Sequence, residues 1–128
     1  MRYLLDTHCW LWLQSEPERL SALLDRLADP ANELLLSAAS SWEISIKYAL
    51  GKLPLPLPPA EYVPSRMQSS GTSSLPVHHA HALQVSKLPR HHGDPFDRLL
   101  ISQAQCEGLQ IVTADAAFSA YDVELLRP

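Results

Sequence analysis

Short apolar runs alternate with amphipathic stretches along this chain. Tyr3-Leu4-Leu5 is compact and apolar and stops at Asp6, which suits a buried strand. A helical stretch through Trp10 and Trp12 follows. Ser15-Glu16-Pro17-Glu18 has the form of a capping box with proline in the first turn. It predicts a helix toward Ala28, with Leu20, Leu23, Leu24 and Leu27 at helical spacing. Glu33-Leu34-Leu35-Leu36-Ser37 reads as a second buried strand. Ser40 or Ser41 is expected to cap a helix carrying Trp42, Glu43, Ile44, Ile46 and Tyr48, ending near Gly51.

Leu53-Pro-Leu-Pro-Leu-Pro-Pro59 breaks the alternation, because prolines fix φ and cannot continue a helix. Neither flank is long enough for a well-packed unit of its own, so the stretch is read as a crossover inside one domain, residues 1–128. Beyond it, Ala60 to Met67 predicts a short helix, Ser74 to Val77 a weak strand, and His78 to Ser86 another helix. Asp94-Pro95 opens the clearest helix, with Leu99, Leu100, Ile101 and Ala104 on its apolar side. Leu109 to Thr113 is a strand ending close to Asp115, and Val123 to Leu126 a last short one. Strands alternating with helices indicate an α/β domain with a parallel sheet covered on both faces.

Composition refines this picture in three ways. With 46% hydrophobic and 19% charged residues, the balance is that of an ordinary globular protein, not a disordered one. No apolar run approaches the roughly 20 residues needed to cross a bilayer. The start, Met1 to Asp6, is too short and too soon charged for a secretory signal, and Cys9 and Cys106 lack a CxxC partner. A cytoplasmic protein with two free thiols is the expectation. The net charge of −4 argues against a binder that holds phosphate by Arg and Lys alone. It does not argue against a site where bound cations supply the positive charge.

In an open parallel sheet, ligands bind beyond the carboxyl ends of the strands. Asp6 and Asp115 stand at or just past such ends, and Glu43 and Asp97 are expected in the first turns of helices leaving the same edge. Four carboxylates on one edge repel one another unless something positive sits between them. Mg²⁺ or Mn²⁺ is the natural occupant for hard oxygen ligands. Two such ions about 4 Å apart can align a water and a leaving oxygen for phosphodiester cleavage. Each acid also has a purely structural explanation. Asp6 suits a turn, Asp115 the start of a short helix through Phe118, Glu43 pairs with Lys47 at i+4, Asp94 is a natural N-cap, and Asp97 favours the same helix end. Only the shared edge favours chemistry.

The residues resemble a known family. Leu4-Leu5-Asp6-Thr7-His8, Ser41-Trp42-Glu43-Ile44, Asp94-Pro95-Phe96-Asp97-Arg98-Leu99-Leu100-Ile101 and Thr113-Ala114-Asp115 are similar to the successive motifs of PIN domains, in the variant of the VapC toxins of bacterial toxin–antitoxin pairs. The resemblance extends through Ile46 to Leu53 and the closing Phe118-Ser-Ala-Tyr121. It implies a three-layer α/β/α sandwich with a central, mostly parallel sheet. It also implies Mg²⁺- or Mn²⁺-dependent cleavage of RNA, a cognate antitoxin that blocks the site, and usually a homodimer. By position, Asp6 and Asp97 are then the principal metal ligands, and Glu43 and Asp115 complete the cluster directly or through water. Asp94 caps its helix first and ligates metal second, and the Thr113 hydroxyl orients a carboxylate or a water.

Other chemistries find less support. His78-His79-Ala-His81 and His91-His92 lack the i,i+4 spacing of a zinc protease. Beside Lys87 and Arg90, the pair His91-His92 is a candidate for contact with RNA phosphates, with Arg90, or else ordinary surface. No GxSxG elbow and no GxxxxGK[ST] loop appears. Trp10, Trp12 and Trp42 read as core or dimer-face residues. The remaining rival to a nuclease is a catalytically silent module that uses the same fold to bind protein or RNA.

Overall fold

A computed structural model describes residues 1–128. Five strands, β1 (Arg2–Leu5), β2 (Glu33–Ser37), β3 (Thr72–Leu75), β4 (Gln110–Val112) and β5 (Leu125–Leu126), form one sheet in the order β3-β2-β1-β4-β5. Every pairing is parallel, with Leu4 set against Leu35 on one side and Ile111 on the other. Because side chains alternate across a strand, the apolar runs feed two separate cores. Tyr3, Leu5, Leu34, Leu36 and Val112 join Trp10, Leu20, Leu23, Leu27, Ile44 and Val63 on one face. Leu4, Leu35 and Ile111 join Leu100, Ile101, Ala104, Phe118 and Tyr121 on the other. Burial on both faces is what a parallel sheet between helical layers requires, and the α/β/α sandwich follows.

Six α-helices make those layers: α1 (Thr7–Ser15), α2 (Leu24–Ala28), α3 (Ala38–Ala49), α4 (Pro59–Ser70), α5 (His79–Gln84) and α6 (Pro95–Glu107). Helix α6 starts where the sequence places it. Asp94 is the N-cap, its Oδ1 accepting from Asp97 N at 3.0 Å, and Gly108 closes the helix at φ 66°.

Four local readings are corrected. Ser15 does not form a capping box, because it lies in the last turn of α1 with its hydroxyl donating to Leu11 O. Residues Pro17–Leu23 form 3₁₀ turns, kinked at Leu20, before α2. Helix α3 is capped by Ser37, whose Oγ accepts from Ala39 N at 3.0 Å, and not by Ser40 or Ser41. Strand β2 thus passes straight into helix, and Glu43 falls in the second turn instead of the first. Strand β3 lies two residues earlier than expected, since Leu34 to Ser37 pair with Thr72 to Leu75 and Pro76 has no N–H for the ladder.

The topology positions the chemistry. From β1 the chain moves outward through β2 to β3, and α6 carries it back to β4 on the opposite side of β1. Strand order therefore reverses between β1 and β4, the crevice where open α/β sheets take ligands. Asp6 leaves β1 and Asp115 follows β4 at that same edge.

Candidate functional site

Asp6 is the first residue past β1 and the N-cap of α1. Its Oδ1 accepts from Cys9 N at 2.7 Å, and its Oδ2 accepts from the Thr113 hydroxyl. The same Thr113 oxygen accepts from Asp115 N at 3.0 Å, so one buried hydroxyl ties the two strand ends together. Asp115 is exposed and caps a 3₁₀ turn at Ala116–Ala120, with Oδ1 accepting from Ala117 N. Asp6 and Asp115 line one cavity of about 260 Å³ with His8, Cys9, Trp12 and Ala114. Burial raises the pKa of Asp6 in spite of its hydrogen bonds. Burial and the adjacent Asp6 also push the Cys9 thiol up, which leaves it inert as a nucleophile.

Asp97 sits in the first turn of α6. Burial, then the charge of Asp94 and that of Asp115, raises its carboxyl to about 6, against the opposing pull of His92. Asp97 is therefore an electrostatic neighbour of both Asp94 and Asp115. Glu43 is 3% exposed and engaged. Its Oε1 accepts from the Thr7 hydroxyl and its Oε2 from Lys47 Nζ, each at 2.6 Å. The Lys47 pairing read from the i+4 spacing is thus present, and Thr7 links Glu43 to the residue next to Asp6.

These residues fit a hard divalent cation by the chemistry of the donor set. All are carboxylates, and Asp6 and Asp97 hold their protons more tightly than usual, a penalty that nearby positive charge would relieve. No group of three or more His, Cys, Asp or Glu side chains is placed to hold a metal ion by itself. Mg²⁺ commonly uses one or two carboxylates and keeps several waters, so fewer than three protein ligands would suffice.

The histidines divide. His81 is buried, its Nδ1 accepting from His78 N and its Nε2 2.8 Å from Glu107 Oε1, which fastens α5 to α6. Arg90 and His91 are exposed on the loop before α6, whereas His92 turns inward, 3.2 Å from Asp97 Oδ2. Trp10 is fully buried, and Trp42 is 59% exposed with its edge against Phe96. Two residues near the site had no role assigned from sequence. Buried Arg98 donates to Pro89 O at 2.8 Å and to the Tyr121 hydroxyl at 3.1 Å, and that hydroxyl also meets His92. A cation inside the apolar face of α6 was a visible signal for Arg98. Tyr121, more than twenty residues further on, offered none.

Fold and site together define a parallel α/β domain that presents carboxylates where its strand order reverses. The chain belongs to the PIN-domain family, whose model matches residues 3–124. It is 30% identical over 112 residues to Ribonuclease VapC22 of Mycobacterium tuberculosis, covering 88% of this chain and 85% of that one. Over 53 residues it is 64% identical to Ribonuclease VapC16 of the same organism, a match spanning 41% of this chain and only 38% of the relative. Its fold is similar to that of VapBC2 from Rickettsia felis, solved bound to a DNA fragment from their promoter. The TM-score there is 0.73, with 19% identity and coverage of 99% of this chain and 98% of the other. FitAcB from Neisseria gonorrhoeae gives a TM-score of 0.64 at 24% identity, over 97% and 96% of the two chains. No helix is long and apolar enough to cross a membrane.

Proposed function

We propose that this chain is an endoribonuclease, the toxin of a type II toxin–antitoxin pair, working with Mg²⁺ or Mn²⁺ at Asp6 and Asp97. The observation that carries the reading is the pairing of Asp6 and Asp115 in one cavity at the β1/β4 reversal, with Asp97 close enough to Asp115 to feel its charge. The VapC relatives, named as ribonucleases, support the RNA substrate. Asp6 and Asp97 would hold the cation, with Asp115 and Glu43 completing the set directly or through water and Asp94 serving α6 as its cap. Bound there, the cation supplies the positive charge that a phosphodiester and an attacking water need in order to react.

The chain's own groups do the rest. Thr113 holds the Asp6 carboxylate in one orientation, and the Cys9 amide fixes its other oxygen. Lys47 and Thr7, each donating to one oxygen of Glu43, hold that carboxylate in one orientation. Arg90 and His91, exposed on the loop before α6, are the candidates for contact with the RNA backbone. The VapBC assemblies among the structural relatives support an antitoxin partner. Such a partner would present a basic side chain to the acidic crevice. A homodimer and a cytoplasmic location complete the reading.

The engagement of Glu43 by Lys47, with no group of three acids placed to hold a metal ion by itself, favours one second reading, a silent PIN-fold binding module. A cleavage assay separates the two. The purified chain should cut RNA with Mg²⁺ or Mn²⁺ and stop on addition of EDTA. Asp6→Asn should lower the rate by more than the roughly 10–100-fold typical of changes around a metal's ligands. The variant stays folded, because its amide oxygen still accepts from Cys9 N. Full activity in Asp6→Asn sinks the nuclease, and a native chain silent with both metals selects the binding module. The toxin role is checked in the genome, where the adjacent upstream gene should encode a small protein with a DNA-binding segment.

A further inference from the structure

Two adjacent imidazoles before α6 have different surroundings. His91 is exposed and meets the Tyr121 ring edge-on, centroids 4.9 Å apart. His92 has a partner on each ring nitrogen. Its Nδ1 lies 2.7 Å from the Tyr121 hydroxyl and its Nε2 3.2 Å from Asp97 Oδ2.

Counting protons assigns the donors. The Tyr121 oxygen accepts from Arg98 Nη1 at 3.1 Å and from the His92 backbone N–H at 3.3 Å. Both lone pairs are then occupied, and the single hydroxyl proton is left for His92 Nδ1. With Nδ1 accepting, the proton of the neutral ring sits on Nε2 and is directed at the Asp97 carboxylate. Arg98 in turn is anchored by main-chain carbonyls, Pro89 O at 2.8 Å and Val85 O and Leu88 O at longer range. The sequence Arg98, Tyr121, His92, Asp97 is thus one directed hydrogen-bond chain from a buried cation to a candidate metal ligand.

We infer that His92 is a positioning residue for Asp97: Arg98 and Tyr121 lock its tautomer, and its Nε2–H holds one carboxylate oxygen so that the group is presented to the cation in a single orientation. The inference rests on the proposed role of Asp97 as a ligand. It also moves His92 from RNA contact to the support of the site. Outer-shell partners of this kind set ligand orientation and are worth roughly 10–100-fold in metal affinity.

The test has one arm without metal and one with it. In the metal-free protein at alkaline pH, ¹⁵N spectra of the imidazoles should show His92 protonated on Nε2. In Tyr121→Phe, which deletes only the hydroxyl, the two tautomers should mix. A native ring protonated on Nδ1 overturns the lock. Calorimetric titration with Mn²⁺ should then give a 10–100-fold weaker site in His92→Ala and an intermediate loss in Tyr121→Phe. His92→Gln should recover most of the affinity, because its amide N–H can take the place of Nε2–H. Native affinity in His92→Ala and Tyr121→Phe, or a His92→Gln as weak as His92→Ala, overturns the positioning role and leaves only loop packing. A native chain that takes up no Mn²⁺ refutes the metal reading and with it the purpose given to His92, while the tautomer arm still judges the lock.

Discussion

Replacing Asp97 by asparagine separates what this carboxylate contributes to reaction from what it does to the fold. Burial and the charges of Asp94 and Asp115 raise its pKa from an ordinary 3.8 to about 6. A carboxyl raised in this way binds its proton more tightly in the native state than in the unfolded chain, so ionisation weakens the fold. The destabilisation is absent below pH 3.8, grows as the pH rises, and is complete above about 6. The full difference corresponds to roughly 3 kcal/mol. Since the side chain keeps 18% of its surface in water, screening brings the expected effect to about 1–2 kcal/mol. Asparagine carries no such charge. It leaves the bond from its own N–H to Asp94 untouched, and its amide oxygen can accept from His92. In EDTA above pH 7, Asp97→Asn should therefore be more stable than the native chain. Urea unfolding followed by tryptophan fluorescence should show a midpoint higher by about 0.5–1 M. Near pH 4 the difference should vanish. Adding Mg²⁺ should stabilise the native chain and not the variant, and RNA cleavage by the variant should be lost. A variant less stable than the native chain at high pH, or an advantage that persists unchanged at pH 4, would refute the electrostatic reasoning.

Two further substitutions probe the supports of the site. Thr113→Val keeps the shape but removes the hydroxyl that donates to Asp6 and accepts from Asp115 N. It should lower cleavage about 10–100-fold and stability by about 1–3 kcal/mol, and native rates at saturating Mg²⁺ would show that Asp6 needs no such partner. Arg98→Met takes the guanidinium donor from the Pro89 carbonyl and from the Tyr121 hydroxyl, which keeps only the His92 N–H. It should cost about 2 kcal/mol or more and open the 85–92 segment to proteolysis, and an unchanged melting curve would dismiss Arg98 as the anchor of that segment.

The sequence by itself determined the features that depend on near neighbours. Alternating apolar runs specify strands with both faces buried, and so a parallel sheet between helices. Asp94-Pro95 starts α6 because a side-chain oxygen three residues before an amide suffices to cap it. Lys47 finds Glu43 because one helical turn brings them together. Even at this range, Ser37 displaced Ser40 and Ser41 as a cap, since the end of β2 is fixed by its ladder with β3. Only the tertiary structure decided which distant residues meet. Asp6 and Thr113 are 107 positions apart, and they bond because β4 returns beside β1. His92 and Tyr121 are 29 apart and meet through the packing around buried Arg98. Periodicity and capping act over a few residues, where the backbone itself fixes the distance. Contacts across a sheet or between layers depend on strand order and on which side chains fill the same core, and neither is encoded in any single short segment.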